Sequence, residues 1–122
     1  MQRAIQDLSV DEIWNEIEKA MNEYPEPIEG INVVYQYHLK GEAERVYQLH
    51  LSDGRATVVR DHFSKPDCTL IMKTSHFKSL LLGQLSGAAA FMTGRLKVKG
   101  NMGLALKLDT ILGNYKFGRK EG

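Results

Sequence analysis

The chain has 122 residues, of which 43% are hydrophobic and 25% charged, with a formal net charge of +1 at pH 7. That is the size and balance of one globular domain able to bury a real core, and the charge total gives no support to a nucleic-acid partner. Cys68 is the only cysteine, which excludes a disulfide scaffold and a cysteine cluster for zinc or iron–sulfur.

The most apolar run, Ser79 to Met92, is broken by Gly83, Gln84, Ser86 and Gly87, whereas a membrane span needs about 20 apolar residues. The N-terminal segment carries Arg3, Asp7, Asp11 and Glu12 and does not read as a signal peptide. The C-terminal run from Phe117 to Gly122 matches no lipidation or address signal. The expectation is a cytoplasmic protein forming a single domain over 1–122.

Ser9-Val10-Asp11-Glu12 is a capping box, a hydroxyl followed three residues later by a carboxylate, with Leu8 and Ile13 placed as a hydrophobic staple. Ile13, Trp14, Ile17, Ala20, Met21 and Tyr24 follow at helical spacing. They predict an amphipathic helix over 9–23, stopped by Pro25 and Pro27. Ile31, Val33, Tyr35, Tyr37 and Leu39 occupy every second position, as do Tyr47, Leu49 and Leu51, and a weaker strand runs from Ala56 to His62. Gly41 marks one turn and Asp53-Gly54 a tight hairpin, so these three strands form an antiparallel meander. After a break at 64–67, Cys68 to Lys73 reads as a short strand. Thr74-Ser75 is placed to cap a helix carrying Phe77, Leu80, Leu81 and Leu85. Gly87 interrupts it, and Ala88 to Met92 adds a further helical turn or two. Gly94 and Gly100 bracket the basic and apolar alternation Arg95-Leu96-Lys97-Val98-Lys99, an edge strand with one wet face. Met102 to Tyr115 is helical and apolar on more than one face. The order predicts an α+β fold: a mixed five-stranded sheet, the meander plus two further strands, covered on one face by helices.

Charge is unevenly spread. Residues 1–73 carry 8 basic and 13 acidic side chains, and residues 74–122 carry 8 basic and 2 acidic, Asp109 and Glu121. The basic half is also the apolar half: 19 of the 36 residues from 77 to 112 are apolar. Leu80-Leu81-Leu82 and Leu104-Ala105-Leu106 spread over more than one helical stripe. The excess is therefore core, a ligand cavity, a dimer interface or a membrane contact. Met21, Met72, Met92 and Met102 suit an adaptable cavity wall. A basic, apolar half suits an anionic head group or membrane surface, unless packing of the two halves cancels their fields.

The residues that carry chemistry in other proteins are explained more simply. His38 and His50 fall out of phase with the large apolar residues and are expected to meet across the hairpin on the wetter face, but no third ligand completes a metal site. His62 and His76 read as loop and helix-cap residues. Cys68 reads as a buried, inert thiol. Ser52-Asp53 beside His50 is no triad, because Asp53 belongs to the turn. Gly100-Asn101-Met102-Gly103 reads either as a tight strand-to-helix turn or as a contact for a polar head group, and it lacks the dinucleotide and phosphate-loop fingerprints.

The residues Asp67-Cys68-Thr69, Met72, Phe77, Leu80, Gly83 and Ala90-Phe91, and above all the run from Gly94 to Leu108, resemble the sterol carrier protein type 2 domain. The detailed resemblance covers residues 67–112, and over 1–66 the order of elements agrees. It implies an apolar tunnel between sheet and helices that takes fatty acids, fatty acyl-CoAs, sterols or phospholipids with loose selectivity. It implies no catalytic residue, metal, cofactor or covalent chemistry. The tail-binding residues it implies are Trp14, then Phe77, Leu80, Leu81, Leu85, Phe91 and Met92, then Met102, Leu104, Ala105, Leu106, Leu108 and Leu112. An anionic head group would find Arg95, Lys97, Lys99 or Lys107. His76 stands where the family often has Asp, and the peroxisomal C-terminal tripeptide of eukaryotic members is absent. The implied partners are a lipid ligand and, transiently, a membrane surface. Two alternatives stay open. One is an accessory protein presenting a lipidic intermediate, such as a quinone precursor, to a partner enzyme. The other is a homodimer that uses the apolar excess as interface. An enzyme would need a nucleophile–base pair or a metal, and the sequence offers neither.

Overall fold

The computed structural model describes residues 5–115 except 42, 62 and 63, together with residue 117. Its elements are α1 (Val10–Glu23), β1 (Val33–Lys40), β2 (Arg45–Ser52), β3 (Arg55–Arg60), β4 (Cys68–Lys73), α2 (Thr74–Leu81), α3 (Gly87–Met92), β5 (Leu96–Gly100) and α4 (Met102–Gly113). α1 opens on the predicted capping box: Glu12 N donates to Ser9 Oγ at 3.1 Å and Ser9 N donates to Glu12 Oε1 at 2.9 Å. In the β2–β3 hairpin Asp53 and Gly54 both have positive φ, 54° and 72°, the hand that matches the twist of the flanking strands.

The five strands form one sheet in the order β3-β2-β1-β4-β5. β1 lies antiparallel to β2 and parallel to β4, while β3 and β5 pair antiparallel at the two edges. This is the mixed sheet that the pattern predicts. Strand alternation sends Tyr35, Tyr37, Leu39, Tyr47, Leu49, Leu51, Leu70, Met72 and Leu96 to one buried face. The Trp14 ring contacts of α1, the Phe77 ring of α2, and a bond from Tyr35 Oη to the Leu104 carbonyl of α4 at 2.8 Å place these helices over that face. α1 also occupies the open edge of β3. Asn22 accepts from Ala56 N at 2.8 Å and donates to Ala56 O at 2.9 Å, and Glu18 accepts from Val58 N at 2.7 Å. An edge treated this way is closed to pairing with another chain at those positions.

Two local expectations are corrected. His38 pairs with Val46 and His50 with Val34, so the two rings do not meet, and the Gln36–Gln48 pair stands between them. The glutamines join the histidines: Gln36 Nε2 lies 3.1 Å from His38 Nε2, Gln48 Nε2 donates to Gln36 Oε1 at 2.8 Å, and Gln48 Oε1 lies 3.0 Å from His50 Nε2. Ser64 completes this ladder, donating its N–H to Gln48 Oε1 at 3.1 Å and accepting from Gln48 Nε2 at 2.7 Å. Buried amides need such partners, and here they have them. α2 starts directly from the strand, with Lys73 as its N-cap and no side-chain cap bond, so His76 lies in the first turn rather than at a cap. His62 lies outside the described residues. The 100–103 run forms the tight strand-to-helix turn that was one of its two readings. Gly100 has φ +94°, a Cβ there would come 2.8 Å from the Asp67 carbonyl oxygen, and Asn101 caps α4 by accepting from Leu104 N at 3.2 Å.

Candidate functional site

A cavity of about 310 Å³ lies between the sheet and α2, α3 and α4. Its floor is Tyr37 of β1, Leu70 and Met72 of β4, and Leu96 and Val98 of β5. The register explains the grouping: Tyr37 pairs with Leu70 and Leu70 with Val98, while Met72 pairs with Leu96. These side chains therefore stand in two neighbouring rows on one face. The roof takes Phe77, Leu80 and Leu81 from α2, Leu85 and Ser86 from the connection, and Gly87 at the start of α3. Phe91 of α3 and Met102, Ala105, Leu106, Leu108, Asp109 and Leu112 of α4 complete it. The opening is marked by apolar side chains left in solvent, since Phe91 is 45% and Leu106 53% exposed. Exposed apolar side chains grouped at one opening are a mark of a contact or ligand site, where singly scattered ones are not.

Beside the cavity, on the same face of the sheet, lies an aromatic cluster. The Trp14 ring centroid stands 4.9 Å from Tyr37, 5.5 Å from Tyr47 and 5.2 Å from Phe77. Tyr37 is 2% exposed, and among the described residues its hydroxyl has no hydrogen-bond partner. Burial pushes its pKa well above the ordinary 10.0, with Tyr35, Cys68 and Asp109 adding to the effect, so the group stays an O–H donor. Tyr35, one pleat away, differs: its hydroxyl is bonded to Leu104 O, and burial pushes its pKa up to about 12. Asp109 lies at the cavity rim, with its carboxylate in the space that a Gly87 side chain would fill. A Cβ built on Gly87 would be 2.8 Å from Asp109 Cγ. Cys68 is buried, and its thiol is pushed above 9.0 by burial and then by Asp67, which removes thiolate character. Among the described residues, no three His, Cys, Asp or Glu side chains cluster to hold a metal ion.

The structure brings Phe77, Leu80, Leu81, Leu85, Phe91, Met102, Ala105, Leu106, Leu108 and Leu112 to the cavity wall. It places three expected tail-binding residues elsewhere. Trp14 is one layer beyond Tyr37 and Phe77, Met92 is 85% exposed outside the lining, and Leu104 is partly buried against the core, also outside the lining. None of Arg95, Lys97, Lys99 and Lys107 is in the lining. Lys97 and Lys99 alternate with the floor residues Leu96 and Val98, so their side chains leave from the other face of β5. Tyr37, Leu70, Leu96, Val98, Ser86 and Asp109 line the cavity without having been singled out. For the strand residues, the alternation already read in the sequence carried the signal.

The model of the SCP-2 sterol transfer family matches residues 14–113. This chain belongs to that family. It is 34% identical over 103 residues to "Sterol carrier protein 2" of Rattus norvegicus, covering 81% of this chain and 19% of that protein. It is 38% identical over 105 residues to "Hydroxysteroid dehydrogenase-like protein 2" of Xenopus tropicalis, covering 85% and 25%. The chain thus spans about a fifth to a quarter of the length of these relatives. Among solved structures, sterol carrier protein domain 2 of Helicoverpa armigera superposes with a TM-score of 0.76 at 28% identity, covering 100% of this chain and 98% of that one. The agreement extends to the α+β architecture, so the SCP-2 order of strands and helices is what positions the cavity described above.

Proposed function

We propose that this chain binds one lipid molecule, with its apolar part in the cavity between the sheet and α2–α4, and carries it by sequestration without covalent chemistry. The observation that supports this most is the cavity itself. Its volume of about 310 Å³ falls at the lower end of small-molecule sites, roughly 300–1,000 Å³. Its wall is apolar apart from Tyr37, Ser86 and Asp109 among the described side chains, and its mouth is edged by Phe91 and Leu106. Burial of an alkyl chain there drives binding by about 0.8 kcal/mol per methylene. Membership of the SCP-2 sterol transfer family adds to the reading. Exposed Phe91, Met92 and Leu106 then serve as the apolar surface that touches a membrane during exchange, with Arg95 and Lys107 near them in sequence to favour an anionic lipid surface. Movement of α4, or of the connection through Gly83 and Gly87, opens the mouth.

The test is a fluorescent-lipid titration with displacement by unlabelled alkyl lipids, on the wild type and on Ala105→Trp. Ala105 lines the cavity from α4 at 6% exposure, so a tryptophan there occupies ligand space. The reading predicts saturable binding in the wild type and none in the variant at the same concentration. A folded wild-type chain that takes up no lipid rules it out.

A further inference from the structure

One charged side chain lines the cavity among the described residues, and it is acidic. The consequence rests on the lipid-binding reading above and sharpens it to a class of ligand. Among the described residues of the basic half, none of Lys78, Arg95, Lys97, Lys99 and Lys107 lines the cavity. Lys97 and Lys99 leave from the opposite face of β5, and Lys107 is exposed two residues before Asp109, roughly on the far side of α4. Asp109 is held at the rim by the absence of a side chain at Gly87. Among the described residues no cation pairs with it. On the floor stands Tyr37, 2% exposed, whose hydroxyl has no partner among the described residues. Its ring is fixed between Trp14 and Phe77, with centroids at 4.9 and 5.4 Å, so the hydroxyl has little freedom to swing to another acceptor.

The polar end of a ligand therefore meets one of two groups. At the rim it meets a carboxylate with no compensating cation among the described residues. At the floor it meets a neutral O–H donor in a buried setting. Neither suits an anion: like charge repels at the rim, and burying a carboxylate beside a single neutral donor costs more than that hydrogen bond returns. An uncharged oxygen suits both places. A hydroxyl donates to Asp109, and a hydroxyl or carbonyl accepts from Tyr37.

We propose that Asp109 and Tyr37 make this cavity selective for lipids whose polar end is an uncharged hydroxyl or carbonyl over free carboxylates of the same chain length. The experiment compares 1-dodecanol with dodecanoate, at a pH where the acid is ionised, by displacement of a neutral fluorescent lipid. It uses the full chain as wild type, Asp109→Asn, Asp109→Lys and Lys107→Gln. The quantity read is the ratio of the carboxylate Kd to the alcohol Kd. Wild type prefers the alcohol. Asp109→Asn lowers the ratio about fivefold, which corresponds to the ~1 kcal/mol of two unit charges about 4 Å apart in water. Asp109→Lys lowers it further. In the wild type the ratio also shrinks as salt is raised, because the rim is solvated. A ratio that both Asp109 variants leave unmoved, or that Lys107→Gln raises, overturns the proposal while lipid binding stands. Failure of both lipids to bind overturns the lipid-binding reading and this inference with it.

Discussion

Leu106→Glu separates binding from folding more cleanly than a change in the core. Leu106 lines the cavity mouth yet is 53% exposed, so its removal opens little buried space. Glutamate forms helix nearly as well as leucine. The cost to folding is a like-charge neighbour at Asp109, three residues on, worth about 0.2–0.5 kcal/mol. A bound neutral lipid covers the exposed half of Leu106, which contributes about 1 kcal/mol on the scale of 1.5–3 kcal/mol for a whole leucine. In the variant the same lipid must instead strip water from a carboxylate, costing at least about 1 kcal/mol more. The sum, about 2 kcal/mol, weakens binding about thirtyfold. Displacement titration with 1-dodecanol and denaturant unfolding of the same preparation measure the two effects. Unchanged dodecanol affinity, or a stability loss as large as the affinity loss, would refute the placement of the mouth at α4.

Other consequences follow from single contacts. Tyr35→Phe deletes the donor to Leu104 O and costs about 1 kcal/mol of stability, whereas Tyr37→Phe removes a hydroxyl with no partner among the described residues and costs less or stabilises; equal losses in thermal unfolding contradict this contrast. Gly100→Ala combines a left-handed backbone, φ +94°, with a 2.8 Å approach to Asp67 O, and should cost about 2–4 kcal/mol in urea unfolding; a change under about 1 kcal/mol contradicts it. The Asp11 carboxyl is held below its ordinary 3.8, first by the Tyr47 hydroxyl and then by Arg60, whose Nε donates to it at 3.1 Å. A depressed carboxyl contributes stability above that ordinary value and loses it as pH falls through the lower folded value. Asp11→Asn should therefore be less stable near neutral pH and lose less stability below about pH 4, and superimposable pH profiles for the two proteins would exclude the contact.

Much of the fold was legible because its signals are local. Ser9 and Glu12 cap α1 through atoms three residues apart, and Asp53-Gly54 makes its hairpin from two residues with positive φ. The strand Cys68–Lys73 was read with its observed bounds. What failed depends on register or on direction in space. Whether His38 meets His50 is decided by which residue of β2 faces which residue of β1, and the turn through Gly41 does not reveal that. The excess of apolar residues between 77 and 112 pointed to the roof of the cavity and to the β5 part of its floor, but not to the part from β1 and β4. Tyr37 and Leu70 become neighbours there through the parallel β1–β4 pairing, which joins strands far apart in the chain. Counting charge by halves located cations but not the faces they leave from. It counted Asp109 without showing its place, which the packing of α4 against Gly87 sets at the rim. Trp14 matched the aromatic character of a tail-binding residue, but Tyr37 and Phe77 stand between it and the cavity.

The central claim is that the space between the sheet and α2–α4 holds a lipid. Native mass spectrometry of the purified chain with added 1-dodecanol tests it most directly, because it counts ligands per chain. The account predicts one dodecanol per chain in the wild type and loss of that adduct in Ala105→Trp. An adduct that persists in Ala105→Trp, or a wild-type chain that stays empty, would contradict it.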